Sequence, residues 1–114
     1  MKMCLIIAAL ALSALLSRPV CAAGAASGVT IVDVRIDSTG KGVVFFSANL
    51  TGNPSCVQSG YGNGLAFDAN TAGGKAILAF ALSAQATGLH MSVFGLGTCS
   101  VYGNYVEDWN YGES

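Results

Sequence analysis

The sequence predicts a small, mainly β domain with one helix, in the order β-β-β-α-β-β. Three observations lead there. Short runs of alternating apolar and polar residues lie on both sides of a single segment with helical period. Glycine is abundant, 15 of 114 residues, about twice the usual frequency, which suits short strands that bend sharply. A chain of 114 residues, 53% hydrophobic and 10% charged, has material for one domain.

The first segment stands apart from that domain. Met1-Lys2-Met3 is a short basic start, Leu5 to Leu16 is an uncharged apolar run, and small residues follow up to Ser27. The run is shorter than the roughly 20 residues that cross a bilayer. This is the pattern of a secretory signal peptide over residues 1–22, with cleavage after Ala22 or Ala23 and a single domain over 23–114. A secreted or periplasmic location is expected. Cys4 leaves with the signal. Cys21 follows Arg18-Pro19-Val20 rather than the Leu and small residues that lipid attachment needs. Cys56 and Cys99 remain, an even pair in an exported chain, so they are expected to form a disulfide.

Within the domain, Val29 to Asp37 alternates. Thr30, Val32, Val34 and Ile36 share one face, and Asp33, Arg35 and Asp37 share the other. Ser38 to Gly42 reads as a turn, and Val43 to Leu50 as the second strand of a hairpin. Thr51 to Gly64, broken by Pro54, is loop, and Leu65 to Asp68 is a short third strand. The period then changes. Ala72 to Thr87 is helical, with Asn70 or Thr71 as N-cap and Gly88 as the stop. His90 to Cys99 and Asn104 to Tyr111 read as the fourth and fifth strands. Five short strands with a helix between the third and fourth fit a small closed barrel with the helix plugging one end, the OB-fold. The alternative is an open antiparallel sheet with the helix on one face.

The helix carries an expectation of its own. Ile77, Phe80, Ala81 and Ala84 form one apolar stripe, Leu78 and Leu82 a second, and Lys75 is the only charge. A helix packed on one side normally shows a charged opposite face. Coverage on more than one side, as in a homo-oligomer, is expected; the alternative is an Ala-rich helix left exposed. Lys75 sits in the first turn, where the dipole disfavours a cation, so an acidic partner is expected.

Charge and side-chain inventory exclude several functions. Lys2 and Arg18 leave with the signal while all six acids stay, which leaves three cations against six carboxylates, a net charge of −3. Nucleic-acid binding needs a basic stripe, so no nucleic-acid partner is expected. His90, a lone histidine, reads as a surface residue. No G-x-S-x-G elbow is present, and one His with two bonded Cys cannot ligate zinc. Asp33 and Asp37 stand about 13 Å apart along a strand, with Arg35 between them, and read as a solvated face. Glu107 and Asp108 point oppositely. Gly60 to Gly64 opens no helix and reads as a turn. No catalytic residue, metal site or cofactor is therefore expected, and the chain reads as a non-enzymatic binding module. Tyr102, Tyr105, Trp109 and Tyr111 crowd into ten residues, the last three on one strand face. Such rings serve sugars or a protein partner, or they cap the core.

Ser27-Gly28-Val29-Thr30-Ile31, the helix ending Ala86-Thr87-Gly88, and the strand running into Gly97-Thr98-Cys99-Ser100 together resemble the subtilase-cytotoxin B-subunit-like proteins, small exported bacterial proteins. The resemblance spans about residues 27–106. It implies an OB-fold, a ring of five protomers with helices lining the pore, and binding of sialylated host-cell glycans. It places Ser27 in the ligand site. The acidic residue that the toxin subunit carries four residues earlier falls on Ala23, and the loop between the second and third strands has one Cys where the toxin subunit has more. An exported catalytic partner chain would accompany a toxin-like role. The alternative is an exported structural or interaction protein with no sugar site.

Overall fold

The structure, a computed structural model, describes residues 23–114; the expected signal peptide, 1–22, lies outside the described residues. Six strands and one helix follow in order: β1 (Ala25–Val29), β2 (Ile31–Ile36), β3 (Lys41–Phe46), β4 (Gly64–Asp68), α1 (Ala72–Thr87), β5 (Met91–Gly95) and β6 (Glu107–Glu113). They form one sheet in the order β1-β5-β6-β4-β3-β2. Neighbours run antiparallel except β4 and β6, which pair in parallel through Leu65–Glu107 and Ala66–Asp108. No described helix is long and apolar enough to cross a membrane.

The strand count differs from expectation because β1 precedes the predicted first strand, which meets it only at Val29 and otherwise corresponds to β2. β1 starts in the small-residue segment before Val29, where Ala-Ala-Ser-Gly offers no alternation to read. Gly28, at φ 67°, lies where β1 shifts register against β5 between Ala26 and Val29. The chain then leaves β5 and joins β3. β1 and β2 are thus the two edges of the sheet, yet only Thr30 separates them, so the sheet curls until its edges meet. The segment after β3 helps to close the seam. The Ser47 N–H donates to the Thr30 carbonyl (2.9 Å), and Ala25 and Thr51 exchange backbone bonds at 2.9 and 3.0 Å.

α1 has the predicted bounds. The Thr71 hydroxyl accepts from the Gly74 N–H at 2.9 Å, and Gly88 ends the helix in the left-handed region. Asn70, the other capping candidate, instead donates to the Thr39 carbonyl at 2.7 Å. A methyl group on Gly74 would lie 1.7 Å from the Asp68 carbonyl oxygen, so only glycine lets the helix start this close to β4. Within the described chain Lys75 has no acidic partner; its ammonium donates to the Ala69 carbonyl at 3.1 Å. The core lies inside the curl. Phe46, Leu65, Phe67 and Val93 are fully buried there beneath Ala81 and Ala84 of the helix. Each large side chain so buried is worth about 1.5–3 kcal/mol. Leu78 also packs on this core, whereas Leu82 stays 49% exposed.

Candidate functional site

Ser27 lies on β1 just before the bend at Gly28, and its side chain is exposed. Its hydroxyl oxygen accepts from the Ser92 hydroxyl at 3.5 Å. A groove of ≈ 310 Å³ runs beside it, lined by Ala25, Ser27, Ala48, Asn49 and Thr51 among others. A second groove of ≈ 330 Å³ lies between Asn49, Asn53, Gln58, Ser59 and Gly62. Asn49 lines both, so the two grooves lie side by side, one against β1 and the other against the β3–β4 loop. Its polar groups are uncharged hydroxyls and amides. Asn53 donates to the carbonyls of Leu50 (3.3 Å) and Gly62 (3.5 Å), and Gln58 donates to that of Asn104 (3.2 Å). These bonds fix the two amides while leaving their carbonyl oxygens as acceptors.

The disulfide joins Cys56 to Cys99 as expected. It ties the β3–β4 loop, which carries Gln58 and Tyr61, to the β5–β6 loop, which carries Tyr102 and Tyr105. The Gln58 N–H reinforces that tie by donating to the Tyr105 carbonyl at 3.0 Å. Gly60 (φ 93°) and the following residues form the expected turn, held where Asn63 donates from its side chain to the Phe46 carbonyl at 2.9 Å.

The aromatic residues do not share one face. Tyr105 precedes β6 and packs on Tyr61, ring centres 5.0 Å apart. Trp109 is core, 8% exposed, against Phe46 and Phe80. Tyr111 is exposed and stacks on Phe94 at 4.5 Å. The register explains the split: Trp109 pairs with Gly95 and Tyr111 with Phe94, so β6 takes one residue more than β5 over that step. Such a bulge reverses which side the next residues face.

Nor is Asp37 merely a solvated acid. Arg35 Nε donates to its Oδ1 at 2.9 Å, and the Tyr102 hydroxyl donates to its Oδ2. The guanidinium stands 5.8 Å over the Tyr102 ring. The tyrosine bond, then the arginine bond, holds the Asp37 carboxyl below its ordinary range. Burial, then the Asp37 bond, pushes the Tyr102 hydroxyl up to about 12. Tyr61 and Tyr102 pack over Val43, Ala66 and Val106, and with Arg35 and Asp37 beside Tyr102 and Tyr105 against Tyr61 they form an amphipathic patch.

Glu107 and Asp108 do point oppositely, and both are buried. Asp108 accepts from the Thr98 and Ser100 hydroxyls at 2.7 Å and from the Ser100 and Val101 N–H groups at 2.9 Å. Glu107 accepts from the N–H groups of Gly24 and Gly97. Burial raises its carboxyl pKa while these bonds oppose the rise. Both carboxylates are occupied by donors of the fold itself. His90 is exposed, and no group of potential metal ligands occurs among the described residues. Comparison with protein-family models, curated proteins and solved structures finds no significant match.

The groove residues Asn53 and Gln58 and the patch residue Tyr61 escaped the sequence reading, which treats 51–64 as plain loop, and Asn49 escaped it as part of a strand that in the structure ends at Phe46. The signal for them was the loop itself. Fourteen residues between two strands exceed the usual connection, and long loops carry binding functions.

Proposed function

We propose that this chain is an exported, non-enzymatic glycan-binding module of the OB type, resembling a toxin B subunit. The observation that carries the reading is the pair of neighbouring uncharged grooves that share Asn49, one bearing Ser27 and the other Asn53 and Gln58. Neutral sugar hydroxyls are both donors and acceptors. A row of hydroxyls and amides matches them without the desolvation cost of a charged site. Sialylated glycans are the class implied by the resemblance. The OB reading is supported by the parallel β4–β6 pair and by β1 and β2 running on through Thr30 as one bent strand, which reduces six strands to five. Assembly into a homo-oligomer, a pentamer by resemblance, is supported by the uncharged outer flank of α1 with Leu82.

The test is a glycan array on wild type, Ser27→Ala and Asn49→Ala. A lost buried hydrogen bond costs about 1–3 kcal/mol, so each variant should bind a glycan hit about 5- to 150-fold more weakly. A silent array for wild type defeats the sugar reading.

The second reading is a protein-binding module, favoured by the patch of Tyr61, Tyr105 and Arg35. Tyr and Arg are enriched where interfaces concentrate their energy. Under it, Tyr105→Ala and Arg35→Ala abolish partner capture while Ser27→Ala and Asn49→Ala leave it unchanged.

A further inference from the structure

Glu107 is 0% exposed, and no cation lies against it within the described chain, where the ion pair found is Arg35–Asp37. Its contacts are backbone nitrogens. Gly97 N–H donates to Oε2 at 2.9 Å. Gly24 N stands 2.9 Å from Oε2 and 3.2 Å from Oε1. An amide nitrogen carries one proton and can only share it between two oxygens; an ammonium has a proton for each. Position 24 is also shaped for this approach, since a methyl group there would lie 2.6 Å from Oε1. The bond before Gly24 is one of the two at which the sequence places signal cleavage.

We propose that export processing cuts between Ala23 and Gly24, and that the freed Gly24 α-ammonium is the counter-ion of the buried Glu107 carboxylate. The inference rests on the signal-peptide reading of residues 1–22. In the step, a signal peptidase hydrolyses the Ala23–Gly24 amide. The C–N bond breaks, the oxygen of water completes the Ala23 carboxylate, and both of its hydrogens end on the Gly24 nitrogen as NH3+. Gly24 is buried in the folded chain, so the cut precedes folding. The new terminus then clamps the start of β1, which already receives the Gly95 N–H at the Gly24 carbonyl (2.9 Å), to β6 and the β5–β6 loop. A precursor has only amides to set against that carboxylate. Processing thereby completes the barrel, and the exported form is the stable one.

The Asn53 amide from the β3–β4 loop and Gly95 on β5 also face the site, and Asp108, on the opposite face of β6, acts on it only through its charge. A free α-amine titrates at about 7.7–8.0, and pairing with a carboxylate raises that value. The stabilisation is therefore complete below about 8 as long as Glu107 is ionised, and is lost as pH rises through the raised value of the amine.

The test begins with the full 114-residue chain expressed with export, whose product is weighed intact. A chain starting at Gly24 supports the proposal. One starting at Ala23 or elsewhere near it overturns the proposal and leaves the signal reading standing. One retaining residues 1–22 overturns both. Two proteins are then made by fusion cleavage, one starting at Gly24 and one at Ala23. The Gly24 form should melt about 5–10 °C higher near neutral pH, on the scale of about 4–8 °C per kcal/mol for a domain this size, and should lose that margin in alkaline solution. Glu107→Gln should erase the margin; if that variant does not fold, the pH profile of the two N-terminal forms decides. Identical profiles overturn the pairing.

Discussion

Removing the Cys56–Cys99 bond is expected to cost about 4 kcal/mol. The two residues are 43 apart in sequence. Closing a loop of that length in the unfolded chain removes about 13 cal/mol/K, or about 4 kcal/mol at 25 °C. A domain of this size has a total stability of about 5–14 kcal/mol, so the bond is a large part of it. The native sheet should survive its loss. The same two loops are joined by Gln58 to the carbonyls of Asn104 and Tyr105, and Asp108 holds the Cys99 loop from its other side. The assay is urea unfolding of wild type and Cys56→Ser/Cys99→Ser, followed by the fluorescence of Trp109, the chain's one tryptophan, buried against Phe46 and Phe80. The variant should show the same folded spectrum, a melting temperature lower by about 15–30 °C, and a steeper urea dependence because its unfolded chain expands further. A loss under about 1 kcal/mol would refute the entropic reasoning, since a cross-link of this span acts chiefly on the unfolded chain. Loss of the cooperative transition would refute it from the other side, by showing that the bond holds the native loops in place.

Two further outcomes follow from the patch and the helix. Burial, then the bond to Asp37, raises the Tyr102 hydroxyl from 10.0 to about 12, so holding it neutral in this place contributes stability that is full below about 10 and lost as pH rises through about 12; Tyr102→Phe should flatten the alkaline arm of the stability profile, and an unchanged arm would exclude this hydroxyl as its source. Leu82→Glu should dissociate the proposed oligomer and leave circular dichroism unchanged, whereas Leu78→Glu should unfold the chain because Leu78 packs on the core; light scattering that finds wild type monomeric at about 10⁻⁵ M, weaker than about −7 kcal/mol, defeats the oligomer.

The helix and the disulfide were legible because their signals are local or forced. Thr71 and Gly88 mark both helix ends, and two cysteines in residues 23–114 leave one pairing. The strands were legible in kind but not in number. β1 is built from Ala-Ala-Ser-Gly-Val, where small residues hide the period, and a strand that changes partners at Thr30 looks in sequence like one strand. The faces of β2 also slipped. Its register shifts between Ile31 and Asp33, so Ile31 is buried while Val32, expected inward, is 53% exposed. A bulge changes the count by one, and no period-2 reading detects it.

The candidate sites were less legible because their residues meet across long spans. Tyr102 and Asp37 are 65 residues apart in sequence, and nothing local in either announces the other. The acids of β6 show what a closer reading would need. Alternation places Glu107 and Asp108 on opposite faces, which usually means one in water. In a curled sheet whose β5–β6 loop folds back on β6, both faces are covered, so both carboxylates must find donors. Those donors stand upstream as Gly95-Leu96-Gly97-Thr98-Cys99-Ser100. A methyl group on Gly95 would lie 2.1 Å from Glu107 Oε2, so its absence admits the carboxylate. Gly97 turns the chain at φ 83° and offers its N–H. Thr98 and Ser100 supply the hydroxyls for Asp108. Part of the glycine excess, read from sequence as bending for a small barrel, therefore serves a second purpose: Gly24, Gly95 and Gly97 surround one buried carboxyl group. That group draws the nitrogen just before β1, a β5 glycine and the β5–β6 loop onto β6, which makes Glu107 the point where the two ends of the domain are joined.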